Sequence, residues 1–294
     1  MHFYRNNITL VGLGILFGGS ILQAETMEIL KNPVLEITRI QNEIIIDGDL
    51  TDIEWGQAGG TDYFVEIEPG ENIIPPEKTE VKVTYDNQNL YVAFWAFADP
   101  KDIRASFQGR DQAWMDDWVA IFLDTYGDAN TGTMIGANPY GIQMDALNNG
   151  SGNEDPSFDL VYESKGMITD RGYQVEMAIP FSSLSFPDKE VQEWKVGFYR
   201  SLPREKRSQI LWGGFDRTNP CFLCQMGTLI GIQGIKQKGS FEFLPAIVGS
   251  QAAVLDQNNT LKKGTATGEA SLGIKYSLSS DRVIELTINP DYSQ

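Results

Sequence analysis

Histidine is almost absent from this sequence of 294 residues, which contains only His2. His2 lies in a segment that we expect to be removed on export, because Arg5 precedes an apolar run over 8–22 and Ala24 provides a small residue for cleavage. A mature chain without histidine has no Ser-His-Asp or Cys-His arrangement and no histidine-containing zinc site. Carboxylate chemistry, cation binding through oxygen, or binding without catalysis remain.

Long hydrophobic runs are missing as well. The apolar run at the amino terminus is short for a membrane-spanning helix, and no later segment is long and apolar enough to predict one. We therefore interpret residues 1–24 as a signal peptide rather than a membrane anchor. The expected location is the cell envelope, and in a Gram-negative cell the mature chain enters the periplasm.

Cysteine is scarce, with two residues in the whole sequence, too few for a zinc site built from cysteine alone. Cys221 and Cys224 form a C-x-x-C motif between Pro220 and Gly227, in a region typical of a turn. In an oxidising compartment this spacing favours a local structural disulfide. Free thiols and a redox-active pair are the alternatives.

Basic residues are outnumbered, because 23 Lys and Arg residues face 40 Asp and Glu residues and the formal net charge is -17. This balance argues against nucleic acid as a partner, since a phosphate backbone requires a basic surface. Acidity is compatible with solubility and with Ca²⁺ binding through oxygen ligands.

Short alternating strands dominate the rest of the chain. Val81, Val83 and Tyr85 alternate with polar residues, and after the turn at 86–89 an apolar strand returns over 90–98. A second hairpin is predicted from 160–164 and 172–179, and further strands over 43–46, 194–200 and 210–212. The pattern predicts an all-β fold, an antiparallel, jelly-roll-like β-sandwich.

The stretch 111–145 joins two apolar strands, 119–123 and 133–136, to many acids and amides. Asp116 and Asp117 are adjacent and would point to opposite faces of a strand, so they do not form a glycosidase pair. Asp124, Asp128 and Asp145 are candidate Ca²⁺ ligands. A solvated, glycine-rich loop is the alternative for the same residues.

The final segment, 238–294, has a different residue pattern from the rest of the chain. Polar and apolar residues alternate over 269–278 and 284–289, and with 241–248 they resemble strands of an outer-membrane β-barrel. Three strands cannot close a barrel, so we favour a fragment of a longer protein. An ordinary amphipathic hairpin is the alternative.

Several motifs resemble family 9 carbohydrate-binding modules. They are IDGDLTDIEW, VKVTYDNQNLYVAF, DDWVAIFLD followed by NPYGIQMD, GYQVEMAIPFSSL and LTINPDYSQ. The resemblance is closest to the variant found in bacterial outer-membrane proteins with a carboxy-terminal β-barrel of unsettled function. It implies a sandwich over residues 25–237, followed by the first strands of a truncated barrel over 238–294.

The resemblance also implies a function. Parent modules bind saccharides between tryptophans and accompany polysaccharide-degrading enzymes, and calcium supports their fold. The residues that we expect to contact sugar are Arg110, Trp114, Asp117, Asn138, Gln143, Arg200 and Trp212. Trp118 alternates with Ala120 and Phe122, so core packing is its expected role.

We expect non-catalytic binding of a saccharide or polysaccharide, with no catalytic residue assigned and the barrel segment in the outer membrane. One alternative is a periplasmic plug or gate of a transport barrel that binds no sugar. The other is a glycoside hydrolase that acts on O-glycosyl bonds through Asp124 or Asp145.

Overall fold

The structure, a computed structural model, describes residues 29–236, 241–251, 253–255, 261–279 and 282–289. The predicted signal peptide lies outside the described residues, as does the end of the LTINPDYSQ motif. No helix in these ranges is long and apolar enough to span a membrane.

The described residues form short strands, which are numbered here in chain order. They are β1 (Val34–Glu36), β2 (Gly59–Thr61), β3 (Val65–Glu68), β4 (Thr79–Tyr85), β5 (Asn89–Phe97), β6 (Trp118–Asp124), β7 (Thr131–Ala137), β8 (Gln143–Asn149), β9 (Glu154–Asp155), β10 (Glu163–Thr169), β11 (Gly172–Pro180), β12 (Val191–Pro203), β13 (Arg207–Leu211), β14 (Gly227–Gln233), β15 (Phe241–Ser250), β16 (Ala253–Leu255), β17 (Leu261–Lys263), β18 (Thr267–Ser279) and β19 (Arg282–Ile288). Single 3₁₀ turns occur at Ile53–Gly56, Phe181–Ser183 and Leu223–Gln225.

Two sheets within this part of the chain pack face to face. One has the order β1-β14-β12-β6-β7-β8-β9, and β13 links the carboxyl-terminal half of β12 to β3. The other has the order β10-β11-β5-β4-β2. We call them the nine-stranded and the five-stranded sheet. Apart from the parallel pair β1–β14, their strands pair antiparallel, which confirms the predicted all-β sandwich.

The core lies between the inner faces of the two sheets. Val92 and Val175 of the five-stranded sheet and Ile121 and Phe198 of the nine-stranded sheet belong to one apolar cluster, and none is solvent-exposed. Each buried side chain of this size contributes about 1.5–3 kcal/mol through removal of its surface from water. The alternation of these residues along their strands fixes which face of each strand is buried.

The hairpin β4–β5 is present as the alternation predicts. Its turn is closed by Asp86, whose Oδ1 accepts the backbone N–H groups of Gln88 at 2.6 Å and Asn89 at 2.7 Å. An aspartate that accepts these two N–H groups stabilises the turn without any further partner.

The second predicted hairpin is also present, but the predicted start of its first strand was wrong. β10 begins at Glu163 rather than at residue 160. The backbone of Leu160 is not available for strand pairing, because its N–H donates to Asp145 Oδ2 and its carbonyl accepts from Arg110 Nη2 at 2.7 Å.

The outer face of the five-stranded sheet is covered by the segment 40–56. The strand predicted over 43–46 is absent, and this segment is irregular instead. Ile44 and Trp55, each 2% exposed, pack on Tyr91 and Ala93 of β5. Asp52 does not cap the following turn, because its Oδ2 accepts the N–H of Ile45 at 3.1 Å.

Glu176 of β11 anchors this cover. Its carboxylate accepts the backbone N–H groups of Asp47 at 3.1 Å and Gly48 at 2.8 Å and the indole N–H of Trp55 at 2.9 Å. Burial raises the pKa of Glu176, while these three donors favour its charged form. The IDGDLTDIEW motif is therefore explained by the fold, since it supplies the donors for a buried carboxylate.

Three of the remaining strands form a separate sheet in the order β15-β18-β19. The strands expected within 241–289 are present, with β18 extending over Thr267–Ser279. Ile284, Leu286 and Ile288 alternate along β19, and each is more than half exposed.

Candidate functional site

The outer face of the nine-stranded sheet carries a line of aromatic side chains. Trp118, Ala120 and Phe122 alternate along β6 onto this face, and Tyr199 of β12 lies opposite Ala120. The rings of Trp118 and Tyr199 are 4.8 Å apart, and those of Phe122 and Tyr199 are 5.9 Å apart. The methyl group of Ala120 leaves room for the tyrosine ring between its two larger neighbours.

Side chains from neighbouring loops surround this line of aromatic residues, which we call the floor; the loop side chains are the walls. Trp114 stands edge-on to Trp118, with centroids 5.7 Å apart and planes at 89°. On the other side Phe222 packs edge-on to Phe122 at 5.2 Å, and Phe215 packs against Phe222 at 5.8 Å. Floor and walls enclose a cavity of about 490 Å³, which we call the aromatic cavity. Its lining residues are Ile67, Glu68, Trp114, Trp118, Phe122, Gly152, Glu154, Tyr199, Arg207, Gln209, Phe215, Arg217 and Phe222.

The wall that carries Phe222 is held in place by a local disulfide and by a backbone hydrogen bond to a distant loop. Cys221 and Cys224 are joined by a disulfide with Cα atoms 5.4 Å apart, the pairing that the C-x-x-C spacing predicts. Between them, the N–H of Phe222 donates to the Gly150 carbonyl at 2.8 Å, and the side chain of Leu223 is fully buried. The disulfide ring thus contains both the wall residue and its apolar anchor.

Two polar atoms on the floor have no partner among the described residues. Trp118 Nε1 is buried without a hydrogen bond. Tyr199 is 8% exposed, and its hydroxyl forms no hydrogen bond within the same part of the chain. Because a buried unpaired N–H is costly, the Trp118 indole indicates a polar occupant of the cavity such as water or a ligand, and the Tyr199 hydroxyl is free to bond to the same occupant.

Charged side chains surround the Tyr199 hydroxyl. Burial raises the pKa of Tyr199, Arg207 opposes this shift, and Glu154 and Glu68 add to it. Partial desolvation at the cavity margin also raises the pKa of Glu154. The cavity therefore presents positive and negative groups together around an apolar floor.

Most of these charged groups are already oriented by the fold. Arg207 Nη1 donates to the Trp114 carbonyl and to Ser201 Oγ, each at 2.9 Å. Glu68 Oε2 accepts from Gln209 Nε2 at 2.7 Å. Such pre-oriented donors and acceptors, together with aromatic faces, are suited to a ligand that has both hydroxyl groups and apolar C–H surface.

Of the residues predicted to bind sugar, Trp114 lies in the aromatic cavity. Arg110 and Gln143 lie together elsewhere, with Arg110 Nη1 donating to Gln143 Oε1 at 2.9 Å. The Gln143 amide donates in turn to the Tyr162 carbonyl at 2.7 Å. These two side chains join β8 to the segment before β10, and the structure does not bring them to the cavity.

The structure does not bring Arg200 and Trp212, two other predicted contact residues, to the aromatic cavity. Arg200 is fully buried between the sheets, where its guanidinium donates to the carbonyls of Lys78 and Phe97, each at 2.9 Å. Trp212 is 3% exposed and packs on Phe198 in the core. Neither side chain offers surface to a ligand.

Asp117 and Asn138, also predicted as contact residues, are fully buried. Asp117 accepts two bonds from Arg204, at 2.8 and 3.1 Å, and the N–H of Arg104 at 2.8 Å. The Asn138 amide donates to Asp116 and to the Ser106 carbonyl, each at 2.9 Å. Both residues hold the loop that carries Trp114.

The predicted calcium ligands do not come together. Asp124 accepts backbone N–H groups from Tyr126, Gly127 and Ala129, so both of its oxygens are engaged. Asp128 is exposed and bonds to Asn130. The structure therefore does not bring Asp124, Asp128 and Asp145 together as one group, and internal donors contact both carboxylate oxygens of the two buried members, Asp124 and Asp145.

Asp145 belongs to a different group. In the described part of the chain, metal-ligand atoms that approach within 4.8 Å of one another occur in Asp111, Asp145 and Asp159. The guanidinium of Arg110 forms ion pairs with all three. Burial raises the pKa of Asp145, and the Leu160 N–H and Arg110 oppose this shift. A cation supplied by the chain lies where a metal would bind, so this group does not fit calcium.

The prediction missed most of the cavity. Trp118 was expected only to pack in the core, and Tyr199, Arg207 and Phe222 were not predicted as contact residues. The alternation of Trp118, Ala120 and Phe122 was a usable signal, since it places two aromatic rings on one face of a strand. Phe222 carried no such signal, because it reaches the cavity through an irregular loop.

Comparisons with known proteins agree with the sandwich. Residues 46–207, more than half of the chain, match the family model described as carbohydrate family 9 binding domain-like. A Bacteroides uniformis ATCC 8492 protein, provisionally assigned to carbohydrate binding, superposes with a TM-score of 0.53 at 13% identity over 67% of this chain and 98% of its own.

Two structures of a family 9 carbohydrate-binding module from Caldicellulosiruptor kristjanssonii are also similar, each at 17% identity over 70% of this chain. The complex with cellotriose has a TM-score of 0.44 over 94% of that module, and the complex with glucose 0.46 over 96%. A comparison with curated protein sequences found no match.

Proposed function

The chain belongs to the carbohydrate family 9 binding domain-like family, and from this premise we propose that it binds a saccharide in the aromatic cavity without cleaving it. The observation that carries the proposal is the cavity floor, where the buried and unpaired indole N–H of Trp118 lies beside the Tyr199 ring among other aromatic rings.

Sugar chemistry matches this floor. A pyranose presents C–H faces that pack on indole and phenol rings, and hydroxyl groups that pair with hydroxyl, guanidinium and carboxylate groups. Tyr199, Arg207 and Glu154 provide one of each around the same point. Asp124 and Asp145, the acids considered for hydrolysis, are bound by internal donors outside the cavity, which supports binding rather than cleavage.

Isothermal titration of the full chain tests the proposal. The panel contains glucose, cellotriose and oligosaccharides of other neutral sugars, and we expect saturable binding to at least one of them. Trp114→Ala should weaken that binding about tenfold or more, because it removes one aromatic wall. The matched control is Trp95→Ala, which changes a half-buried tryptophan on the other sheet and should leave affinity unchanged. Absence of binding across the panel would refute the proposal.

We also infer that the protein is exported to the cell envelope, where its last strands contact the outer membrane and the sandwich faces the periplasm. The alternating exposed side chains of Ile284, Leu286 and Ile288 support a lipid-facing strand. This location would suit a role in polysaccharide catabolism.

Fractionation of a Gram-negative host that expresses the whole sequence tests the location. We expect a mature chain that begins at Glu25, recovered with the outer-membrane fraction. Ile284→Lys with Leu286→Lys should move it to the soluble periplasmic fraction, whereas Ile53→Lys, an exposed apolar control in the sandwich, should not. Cytoplasmic recovery of an unprocessed chain would contradict the inference.

A further inference from the structure

A second aromatic surface lies outside the aromatic cavity. Phe107 is 79% exposed, and its ring stacks on Tyr140 with centroids 4.1 Å apart and planes at 6°. One face of the phenylalanine ring is therefore supported by the tyrosine, which leaves the other available to solvent. A ligand with apolar C–H surface that packs on this face would remove it from water, which is favourable.

The fold holds this stack firmly through one buried carboxylate. Asp116, 6% exposed, accepts the N–H of Ser106 at 2.9 Å and its hydroxyl at 2.7 Å. It also accepts from the Asn138 amide at 2.9 Å, and Asn138 Oδ1 accepts the N–H of Tyr140 at 3.0 Å. Phe107 follows Ser106, so each ring of the stack is one or two residues from a bond to this centre.

The same carboxylate group positions the wall of the aromatic cavity. The N–H of Asp116 donates to the Ala113 carbonyl at 3.0 Å, which closes the turn that presents Trp114. The next residue, Asp117, is fixed by two bonds from Arg204. The turn that presents Trp114 and the residues that hold the Phe107–Tyr140 stack are therefore both hydrogen-bonded to Asp116.

We propose that the Phe107–Tyr140 stack is a second saccharide subsite, which takes a pyranose unit of the same chain whose first unit occupies the aromatic cavity. The inference rests on the proposed function and extends it, since the ligand class becomes an oligosaccharide or polysaccharide rather than a single sugar. A flat, single ring face matches the C–H face of one pyranose. Asp116 bonds both to the residues that hold the stack and to the turn that presents Trp114, so the two aromatic surfaces keep a fixed spacing that one saccharide chain would span.

Titration with increasing chain length tests the subsite. The probes are glucose-, xylose- and mannose-based saccharides of one to six units, added to the full chain. For the series that binds, affinity should rise about three- to tenfold from the monosaccharide to the longer members, as expected for one more aromatic contact. Binding with no gain in affinity would overturn the subsite alone, whereas no binding by any probe would overturn the proposed function as well.

Substitutions at Phe107 test whether this residue causes the increase of affinity with chain length. Phe107→Ala should abolish the increase with chain length and leave monosaccharide affinity unchanged, and Phe107→Trp should retain the increase. Ile53→Ala, an equally exposed apolar control at 77%, should behave as the wild type. Equal weakening of monosaccharide and oligosaccharide binding by Phe107→Ala would overturn the assignment, because the residue would then act only through the cavity. Circular dichroism checks that each variant is folded.

Discussion

The two outer faces of the sandwich differ in how their polar atoms are matched. On the five-stranded sheet the segment 40–56 covers the face, and the carboxylate of Glu176 receives three N–H donors. On the nine-stranded sheet no comparable segment of the described chain covers the aromatic floor. There the Trp118 indole N–H is buried and unpaired, and the Tyr199 hydroxyl has no hydrogen-bond partner among the described residues.

The difference separates a structural face from a binding face. Both faces contain buried tryptophans and polar groups, so composition alone does not distinguish them. On the covered outer face the buried carboxylate of Glu176 is matched within the chain, because an unmatched one would lower stability. A face that a ligand covers keeps some of its donors and acceptors unmatched until the ligand binds.

The largest expected effect is on the covered face. Trp55→Ala should lower the free energy of unfolding by about 3–5 kcal/mol, because it leaves a cavity beneath the covering segment and removes a donor from Glu176. Urea denaturation measures the loss, and saccharide affinity of the folded variant should be retained. Trp114→Ala, on the open face, should cost about 1 kcal/mol or less while it weakens binding. If Trp55→Ala abolished binding and kept stability, the assignment of the two faces would be reversed.

The strands of the sandwich could be predicted because their side chains alternate. In β11, Tyr173, Val175, Met177 and Ile179 point into the core, as the alternation requires. The segment 40–56 could not be predicted correctly, since its structure depends on Glu176, which is far away in sequence. Hydrogen bonds between distant residues leave no local pattern.

The candidate site was harder to predict for a related reason. Adjacent residues of β12 point in opposite directions, so Tyr199 reaches the aromatic cavity while Arg200 is buried between the sheets. Arg200 was predicted as a contact because the family that the chain resembles binds sugar hydroxyls with polar and charged side chains, whereas Tyr199 was not predicted. Alternation defines the two sets of side chains, but it does not show which set faces the core when both contain aromatic and polar residues.

A smaller effect is expected for the buried carboxylate. Glu176→Gln should lower the free energy of unfolding by about 1–3 kcal/mol, because one of its two oxygens becomes an amide that faces N–H donors. Thermal and urea denaturation measure the change. The control is Glu163→Gln on β10 of the same sheet, where the side chain is exposed and the expected change is below about 0.5 kcal/mol. Equal losses for the two variants would show that Glu176 does not anchor the cover.

The smallest change removes a single hydroxyl group. It can be compared directly between the two faces, because Tyr91 on the covered face and Tyr199 on the open face are both nearly buried. On the covered face, the Tyr91 hydroxyl donates to Asp86 Oδ2 at 3.0 Å and accepts from Asn89 at 3.2 Å, and burial raises the pKa of Tyr91 to about 12. Tyr91→Phe should therefore lower the free energy of unfolding by about 1 kcal/mol.

Tyr199→Phe should change the same free energy by less than about 0.5 kcal/mol, because its hydroxyl has no partner in the described structure to lose. Its effect should appear in saccharide affinity instead, as a decrease of about three- to tenfold, whereas Tyr91→Phe should leave affinity unchanged. Urea denaturation and titration of both variants separate the two cases. If Tyr199→Phe destabilised the fold as much as Tyr91→Phe and left affinity intact, its hydroxyl would be structural, and the open face would not differ from the covered one.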